Sequence, residues 1–343
     1  MTARSIQRVP GLKKKRHGLL RVAALLSILA LLTLAIGIVS FTTADAMMRQ
    51  NPQPLPSISS NIMPVWQAAN FPSFNEQTTL SGALFLAQGP AVSTIILVHD
   101  QDSNRFVFGL DSPKLFETLT RLGFNVLAFD LRNAGRSEGE MSGFGYAEWE
   151  DVLAAIRYVH RVSSTRDVLL YGIGTGVSAS LIALSQLPQP DQPRDDLPLL
   201  LRELPFDRSY VRGLLLDTPA VSPDSYIRAA VRDQGGFAAD WLQYTVPSAV
   251  RLSAGDVGTT SLVSQLSRLT LPVFIAYSTN DSRIPLGDIE PLINERLRLH
   301  PETTVVFTSE TAGRSASFSL DQAAYLEALD RYFRRYFPQK ATE

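Results

Sequence analysis

The stretch VLLYGIGTGVSAS, residues 168–180, decides the fold of this chain. An apolar run of strand length enters a glycine-rich turn, and small and apolar residues follow the turn over helical length. A strand that passes through a tight turn into a helix is the repeating unit of a parallel α/β sheet. The stretch therefore predicts one such unit near the middle of the sequence.

Apolar runs of strand length recur on both sides of this unit, with amphipathic stretches between them. The alternation predicts a mostly parallel sheet covered by helices on both faces, with no second domain. A proline-rich surface insertion is expected at residues 188–209, and residues 222–262 are expected to be mainly helical and to cover one end of the sheet. The runs are TLSGALFLA (79–87), STIILVHD (93–100), FNVLAFDLR (124–132), VRGLLLDTP (211–219), LPVFIAYSTND (271–281) and TTVVFTSE (303–310).

Composition excludes several classes of function. The chain has 343 residues, of which 45% are hydrophobic, and this predicts a globular protein with a sizeable core. A net charge of -1 gives no overall field that would attract nucleic acid. With 0 cysteines there is neither a disulfide nor a thiolate nucleophile, and the histidines lack the spacing of metal ligands. No metal or cofactor is therefore expected.

The N-terminal region contains an apolar run long enough to cross a membrane. Residues 22–41 carry no charge, and at ~1.5 Å per residue they extend ~30 Å, the thickness of a bilayer core. Basic residues dominate segment 1–21, so the positive-inside rule predicts a cytoplasmic N-terminus and an extracytoplasmic main domain. The lipid bilayer is thus the first expected partner. Residues 42–70 are predicted to form a linker and residues 71–338 the main domain; the alternative is a signal peptide cleaved after Ala46.

Four short motifs resemble those of the α/β-hydrolase fold, in particular of its esterase- and serine-aminopeptidase-like branch. They follow one another in the same order as in that family and cover roughly residues 74–337. The motifs are LVHDQDSNR (97–105), FDLRNAGRSEG (129–139), LLLDTP (214–219) and PVFIAYSTNDSRIP (272–285). The resemblance implies a Ser nucleophile at a strand–helix turn, an acid after a later strand and a His after the last strand.

Carried over position by position, the resemblance leaves this catalytic triad incomplete. The nucleophile position is Gly174 in the sequence GIGTG, and the position of the histidine is occupied by Arg314. A glycine has no side chain to attack a substrate, and an arginine stays protonated and cannot accept a proton. Only the acid is present, at Asp281, where a lone carboxylate in a loop is typical of a turn former.

Two further residues concern the stabilisation of negative charge at this site. The resemblance places the oxyanion region at Asp100 and Thr175, and the family usually has glycine at the first of these positions. A carboxylate ~4 Å from a developing oxyanion would cost ~4 kcal/mol at an effective dielectric constant of ~20. Glycine at position 174 also relieves the backbone strain that the nucleophile of such a turn normally bears.

The chain offers few other residues that could replace the missing groups. Four histidines are present: His17 precedes the apolar run, His99 ends a strand, His160 ends a helix and His300 precedes the last strand. None of these histidines follows the last strand, where the family has its catalytic base. A relocated nucleophile at Thr175, Ser178 or Ser315, acting with Asp281, would make the chain a working hydrolase of ester or peptide bonds with a rearranged site.

A cofactor loop is the remaining interpretation of the glycine turn. The sequence LLYGIGTG is similar to the first motif of S-adenosylmethionine methyltransferases, in which the backbone approaches the cofactor. That motif should open its domain, whereas about 100 residues of strand and helix precede it here. The sequence therefore favours a catalytically inactive, membrane-anchored protein of the α/β-hydrolase type, which serves as a binding or accessory subunit of a membrane assembly.

Overall fold

A computed structural model of the chain describes residues 12–49, 53–59, 61–310 and 317–339. Within these ranges eight strands form one sheet in the spatial order β1-β2-β4-β3-β5-β6-β7-β8. Strand β1 pairs antiparallel with β2, and β2 pairs antiparallel with β4; all the other pairs are parallel. The strands are β1 (Trp66–Pro72), β2 (Thr79–Phe85), β3 (Ser93–Val98), β4 (Phe124–Phe129), β5 (Val168–Ile173), β6 (Val211–Asp217), β7 (Val273–Ser278) and β8 (Thr304–Ser309).

Helices cover both faces of the sheet, as the sequence predicted. Alternate residues of the central strands enter two separate cores, with Leu170 on one face and Leu169 and Tyr171 on the other. The first face is covered by α3, α4, α6, α7, α8 and α9, and the second by α2, α10 and α11. The helices are α1 (Leu12–Met48), α2 (Ser112–Arg121), α3 (Trp149–Val162), α4 (Thr175–Gln186), α5 (Leu199–Arg202), α6 (Pro223–Gln234), α7 (Ala239–Ser253), α8 (Leu262–Ser267), α9 (Glu290–Leu299), α10 (Ser317–Leu320) and α11 (Gln322–Tyr336).

The structure departs from the predicted linker 42–70 at both of its ends. Helix α1 continues past Phe41 to Met48, and the side chains of Ala44, Met47 and Met48 are buried in the first core. Strand β1 begins at Trp66, before the predicted start of the domain. Both differences have the same cause: neither segment shows a regular apolar pattern in the sequence. The end of α1 buries only a narrow stripe of side chains, and β1 is an edge strand with most of its positions exposed.

Helix α1 is long and apolar enough to cross a membrane. Its segment Gly18–Met48 contains an 18-residue window with a mean hydropathy of 2.8, and large apolar side chains are exposed along it from Leu19 to Phe41. The predicted insertion at 188–209 is ordered and contains the short helix α5, in which Leu201 is buried while Leu199 is exposed.

Candidate functional site

Gly174 lies at the carboxyl end of β5, at the tight turn into α4. Its backbone angles are φ 55° and ψ -121°, a region that residues with a side chain adopt only at a cost of ~1–3 kcal/mol. The turn is also closely packed, since a Cβ on Gly176 would lie 2.1 Å from the carbonyl oxygen of Val98. Strand β5 is central, paired with β3 and β6, so residue 174 is held at the edge of the sheet where parallel α/β folds place their sites.

The carboxyl group of Asp100 fills the space beside Gly174. A Cβ built on Gly174 would lie 2.4 Å from Cγ and 2.4 Å from Oδ1 of Asp100, well inside van der Waals contact. Asp100 follows β3 and is buried, with 7% of its surface exposed. The two positions are therefore sterically coupled: a side chain at 174 and the present conformation of Asp100 exclude each other.

The same carboxylate binds the two backbone amides that would form an oxyanion hole. In the fold that the sequence resembles, these donors are the amide after the nucleophile and an amide from the loop after β3. Here Oδ1 of Asp100 accepts hydrogen bonds from the amide of Thr175 at 2.9 Å and from that of Gln101 at 2.8 Å. The hydroxyl of Thr175 donates to the same oxygen at 3.0 Å. A negatively charged oxygen of the chain itself thus occupies the place of a substrate's oxyanion.

From the sequence, Asp100 is expected to weaken an oxyanion hole through charge repulsion. In the structure its carboxylate instead points at the amide donors and accepts hydrogen bonds from them. The hydroxyl of Thr175 is engaged twice, since it also accepts a hydrogen bond from the Gln101 amide at 2.7 Å. These contacts satisfy the first amide of α4, which has no acceptor within its own helix.

His99 is held as a neutral structural residue. The amide of Leu131 donates to its Nε2 at 3.0 Å, so this nitrogen carries the lone pair and Nδ1–H donates to the carbonyl oxygen of Asp100 at 2.8 Å. Burial lowers the pKa of His99 from its ordinary value, which keeps the ring uncharged. Neither ring nitrogen is available to accept a proton from a nucleophile.

His160 and His300 lie away from the turn that contains Gly174. His160 is exposed and packs against the rings of Phe206 and Tyr210. Nε2 of His300 lies 2.9 Å from the carbonyl oxygen of Ser267, at the far end of α9. Of these three histidines, only His99 borders the cavity that Asp100 and Thr175 also line.

Asp281 follows β7 and organises the turn in which it stands. Its Oδ1 accepts hydrogen bonds from the amides of Arg283 and Ile284, both at 2.8 Å. This is the pattern of a carboxylate that stabilises a turn through the following amides. Arg314 and Ser315, the predicted counterpart of the histidine and one candidate nucleophile, lie outside the described residues.

Ser178, another candidate nucleophile, is fully buried inside α4. Gly145 covers it so closely that a Cβ on that glycine would lie 2.4 Å from the Cβ of Ser178. Its hydroxyl has no hydrogen-bond partner among the described residues and does not border the cavity beside Asp100. The site thus brings Asp100, Thr175 and Gly174 together, whereas Ser178 is enclosed by protein.

A buried carboxylate below the turn was not foreseen from the sequence. Asp217 ends β6, and its carbonyl oxygen accepts a hydrogen bond from the Gly174 amide at 2.9 Å. Its side chain accepts from Tyr325 at 2.8 Å and from Thr218 at 3.0 Å, and Tyr325 in turn bonds to Tyr171. Burial, which is the main cause, together with the charges of Asp281 and Asp100, raises the pKa of Asp217 to about 7.

The signal for this network was the acidic residue at the end of the strand LLLD. Its partner Tyr325 lies on α11, far along the chain, so sequence proximity gave no indication of the contact.

The cavity beside Asp100 is too small for an ester or a peptide substrate. Its volume is about 20 Å³, which is room for about one water molecule, whereas ligand pockets measure ~300–1,000 Å³. Asp100, Gln101 and Thr175 line it on one side, and Gln53 and Ser142 line it elsewhere.

The end of helix α1 is hydrogen-bonded to two residues that line this cavity, Asn133 and Ser142. The carbonyl oxygen of Met48 accepts hydrogen bonds from the amide of Ser142 at 2.9 Å and from Nδ2 of Asn133 at 3.1 Å. Nε2 of Gln101 donates to the Ser142 hydroxyl at 2.6 Å. A continuous chain of hydrogen bonds therefore links the last turn of α1 to Gln101, whose amide bonds to Asp100.

The sheet order, the antiparallel edge and the tight turn after β5 define the α/β-hydrolase fold. Solved structures confirm this assignment. An esterase of Pyrococcus furiosus, Pf2001, is similar with a TM-score of 0.63 at 16% sequence identity, over 84% of this chain and 98% of that one. The α/β hydrolase GrgF from Penicillium sp. sh18 is similar with a TM-score of 0.53 at 14% identity, over 80% of this chain and 100% of that one.

A structure of DcsB in complex with its substrate analogue is similar to the same degree, with a TM-score of 0.53, 15% identity, and 80% and 100% of the two chains covered. No protein-family model and no curated protein sequence matches the chain. The shared feature is thus the fold, which places residue 174 at the turn where such proteins carry their chemistry.

Proposed function

We propose that this chain is a membrane-anchored α/β-hydrolase-fold protein without hydrolase activity, which serves as a binding or accessory subunit of a membrane assembly. The proposal rests above all on one observation: Oδ1 of Asp100 accepts from the amides of Thr175 and Gln101. A substrate carbonyl needs those donors to stabilise its tetrahedral intermediate, and losing even one such donor typically costs ~10²–10³ in rate. Gly174, which provides no nucleophile, supports the same conclusion.

Helix α1 supports the anchoring. Its 37 residues extend ~55 Å at ~1.5 Å per residue, more than the ~30 Å of a bilayer core, so part of the helix projects beyond the membrane. The projecting end enters the domain, where Ala44 is 0% exposed and Met47 is 1% exposed. Cleavage after Ala46 would divide this packed segment, which favours an uncleaved anchor. The basic residues before the span favour a cytoplasmic N-terminus and an extracytoplasmic domain.

Two surfaces are proposed for a protein partner. The insertion at residues 188–209 exposes Leu199 and Leu200 on α5, and residues 222–262 provide the exposed parts of α6 and α7 on either side of the turn at residues 235–244. Exposed apolar side chains on an ordered insertion are typical of contact surfaces. Altering either surface is expected to weaken the association while leaving the fold intact.

A working hydrolase is the second candidate, and one contact favours it. The hydroxyl of Thr175 donates to a carboxylate oxygen of Asp100, which is the arrangement of a nucleophile beside a base. The solved structures that share the fold include esterases. Against this candidate, Thr175 is 4% exposed and its oxygen already accepts from the Gln101 amide.

Reaction with a fluorophosphonate probe separates the two candidates. The full chain in detergent is incubated with the probe, and its intact mass is measured, with an active esterase in the same buffer as the positive control. We expect the mass of the chain to remain unchanged. An adduct that disappears in Thr175→Ala, or in the matched variants Ser178→Ala and Ser315→Ala, would show a working nucleophile and would refute the proposal.

A second pair of variants tests the role assigned to Asp100. Gly174→Ser adds a hydroxyl but also a Cβ that the present position of the Asp100 carboxyl group excludes, while the double variant Gly174→Ser with Asp100→Gly removes that group and frees the amide donors. We expect less labelling of the single variant than of the double variant, because the displaced carboxyl group still lies beside the donors. Equal labelling of the two variants would contradict the assigned role of Asp100.

A further inference from the structure

The turn between α6 and α7 presents aromatic side chains to the outside. Gly235 and Gly236 both have positive φ, 67° and 82°, and they reverse the chain so that Phe237 projects from the surface. Phe237 is 89% exposed and Tyr244, on the first turns of α7, is 72% exposed. Trp241 lies between them and is partly buried. Trp241 packs against the first core, whereas the exposure of two neighbouring aromatic residues, Phe237 and Tyr244, is not explained by packing.

Helix α7 lies beside α1 and runs in the same direction. The hydroxyl of Ser40 on α1 donates to that of Thr245 on α7 at 2.7 Å. Further along, Met48 bonds to the amide of Ser142, and a Cβ on the adjacent Gly143 would lie 3.4 Å from Cβ of Ala254. The carboxyl ends of the two helices therefore meet at the same segment. The amino end of α7 must point toward the exposed apolar part of α1.

The turn consequently lies alongside the outer part of the apolar span. Phe237 precedes Thr245 by about 12 Å of helix length at ~1.5 Å per residue, on the side facing the membrane. The predicted span at residues 22–41 ends at Phe41, close to the level of Ser40 and Thr245. Segment 235–247, GGFAADWLQYTVP, carries one charged residue, Asp240.

We infer that residues 235–244 of this segment, the α6–α7 corner, insert into the outer leaflet of the same bilayer that α1 crosses. Tryptophan and tyrosine favour the boundary of that leaflet because their rings are apolar at one end and polar at the other. The corner lies beside the outer part of the proposed span, and its one charge, Asp240, is expected to reach toward the headgroups. The inference rests on the proposed membrane anchoring, and it gives the domain a second contact that fixes its orientation to the membrane.

Cysteine labelling tests this inference directly, because the chain has 0 cysteines and every introduced one is unique. Three variants of the full chain, Phe237→Cys, Val257→Cys and Leu29→Cys, are labelled with a nitroxide and reconstituted into phosphatidylcholine vesicles with a minor fraction of phosphatidylglycerol. Val257 is the matched control, since it is 84% exposed but follows the opposite end of α7. Leu29 reports on insertion of α1 itself.

The collision rate of each label with a water-soluble nickel complex is then compared with its collision rate with oxygen. We expect the label at 237 to be protected from nickel several-fold relative to that at 257, with the label at 29 protected still more. Equal accessibility at 237 and 257, with 29 protected, would overturn the inference and leave the anchor standing. Full accessibility at position 29 would instead refute the anchor.

Discussion

Replacing Gly174 with alanine probes the coupling between the turn and Asp100. Two costs are expected: ~1–3 kcal/mol of backbone strain at φ 55° and ~1.5–3 kcal/mol from displacing a charged group that accepts three hydrogen bonds. The free energy of unfolding should therefore fall by about 3–5 kcal/mol in Gly174→Ala. Each kcal/mol lowers the thermal midpoint of a domain of this size by roughly 2–4 °C.

Three companion variants separate these two costs. Gly109→Ala is the control for strain, because Gly109 has φ 56° and nothing lies within 4 Å of an added Cβ. Asp100→Ala removes the obstructing carboxyl group, so in combination with Gly174→Ala the two losses should sum to about 1.5–3 kcal/mol less than additivity predicts. Asp100→Asn keeps the volume of the side chain and should give little such relief.

Thermal unfolding of the full chain in detergent, followed by tryptophan fluorescence, measures all of these variants. The reasoning would be refuted if Gly174→Ala were no more destabilising than Gly109→Ala. It would equally fail if Asp100→Ala and Asp100→Asn relieved Gly174→Ala to the same extent.

Three further outcomes follow from the structure. Burial raises the pKa of Asp217 to about 7 in the folded chain, above the ~3.9 of the unfolded chain. The protonated side chain therefore contributes fully to stability below about pH 4. This contribution falls by up to ~1.4 kcal/mol per pH unit until the pH reaches the folded pKa. Asp217→Asn should reduce the dependence of the thermal midpoint on pH across this range, and an unchanged dependence would contradict the assignment. Met47→Ala should lower the free energy of unfolding by ~2–5 kcal/mol, because Met47 is 1% exposed. Leu26→Ala, at a site that is 61% exposed, should leave the thermal midpoint in detergent unchanged. Equal effects of the two variants would show that the end of α1 does not pack against the domain. Arg105→Ala removes the cation paired with the buried carboxylate of Asp130 and should lower the free energy of unfolding by ~3–5 kcal/mol. Arg331→Ala, at the exposed ion pair with Glu327, should lower it by only ~0–1 kcal/mol, and urea titration measures both.

Much of the fold could be predicted because its strands are buried on both faces. Runs such as STIILV and VLLYGI are apolar throughout, which is the pattern of central parallel strands. Strand β1, WQAANFP, was missed because it is an edge strand with mostly exposed positions, so no apolar alternation marks it. The end of α1 was missed because hydropathy marks a membrane span but not the narrow stripe through which Ala44 and Met47 dock.

The candidate site was predicted from motif order, which gives positions and no contacts. Motif order predicts Gly174, Asp100 and Asp281 as site residues, and in the structure Asp100 lies beside Gly174. The direction of the Asp100 side chain depends on the amide of Thr175, which is distant in sequence and is brought close only when β3 and β5 pair. The link between Asp217 and Tyr325 likewise depends on how α11 packs against the sheet.

Hydrogen exchange at the amide of Thr175 tests the central claim most directly. This amide begins α4 and has no acceptor within the helix, so its protection depends on Oδ1 of Asp100. Deuterium uptake, resolved to single residues by mass spectrometry, is compared between the native chain, Asp100→Ala and the control Asp281→Ala. We predict slow exchange in the native chain and in the control, and markedly faster exchange in Asp100→Ala. Equal exchange in all three would show that the carboxylate does not occupy the donors.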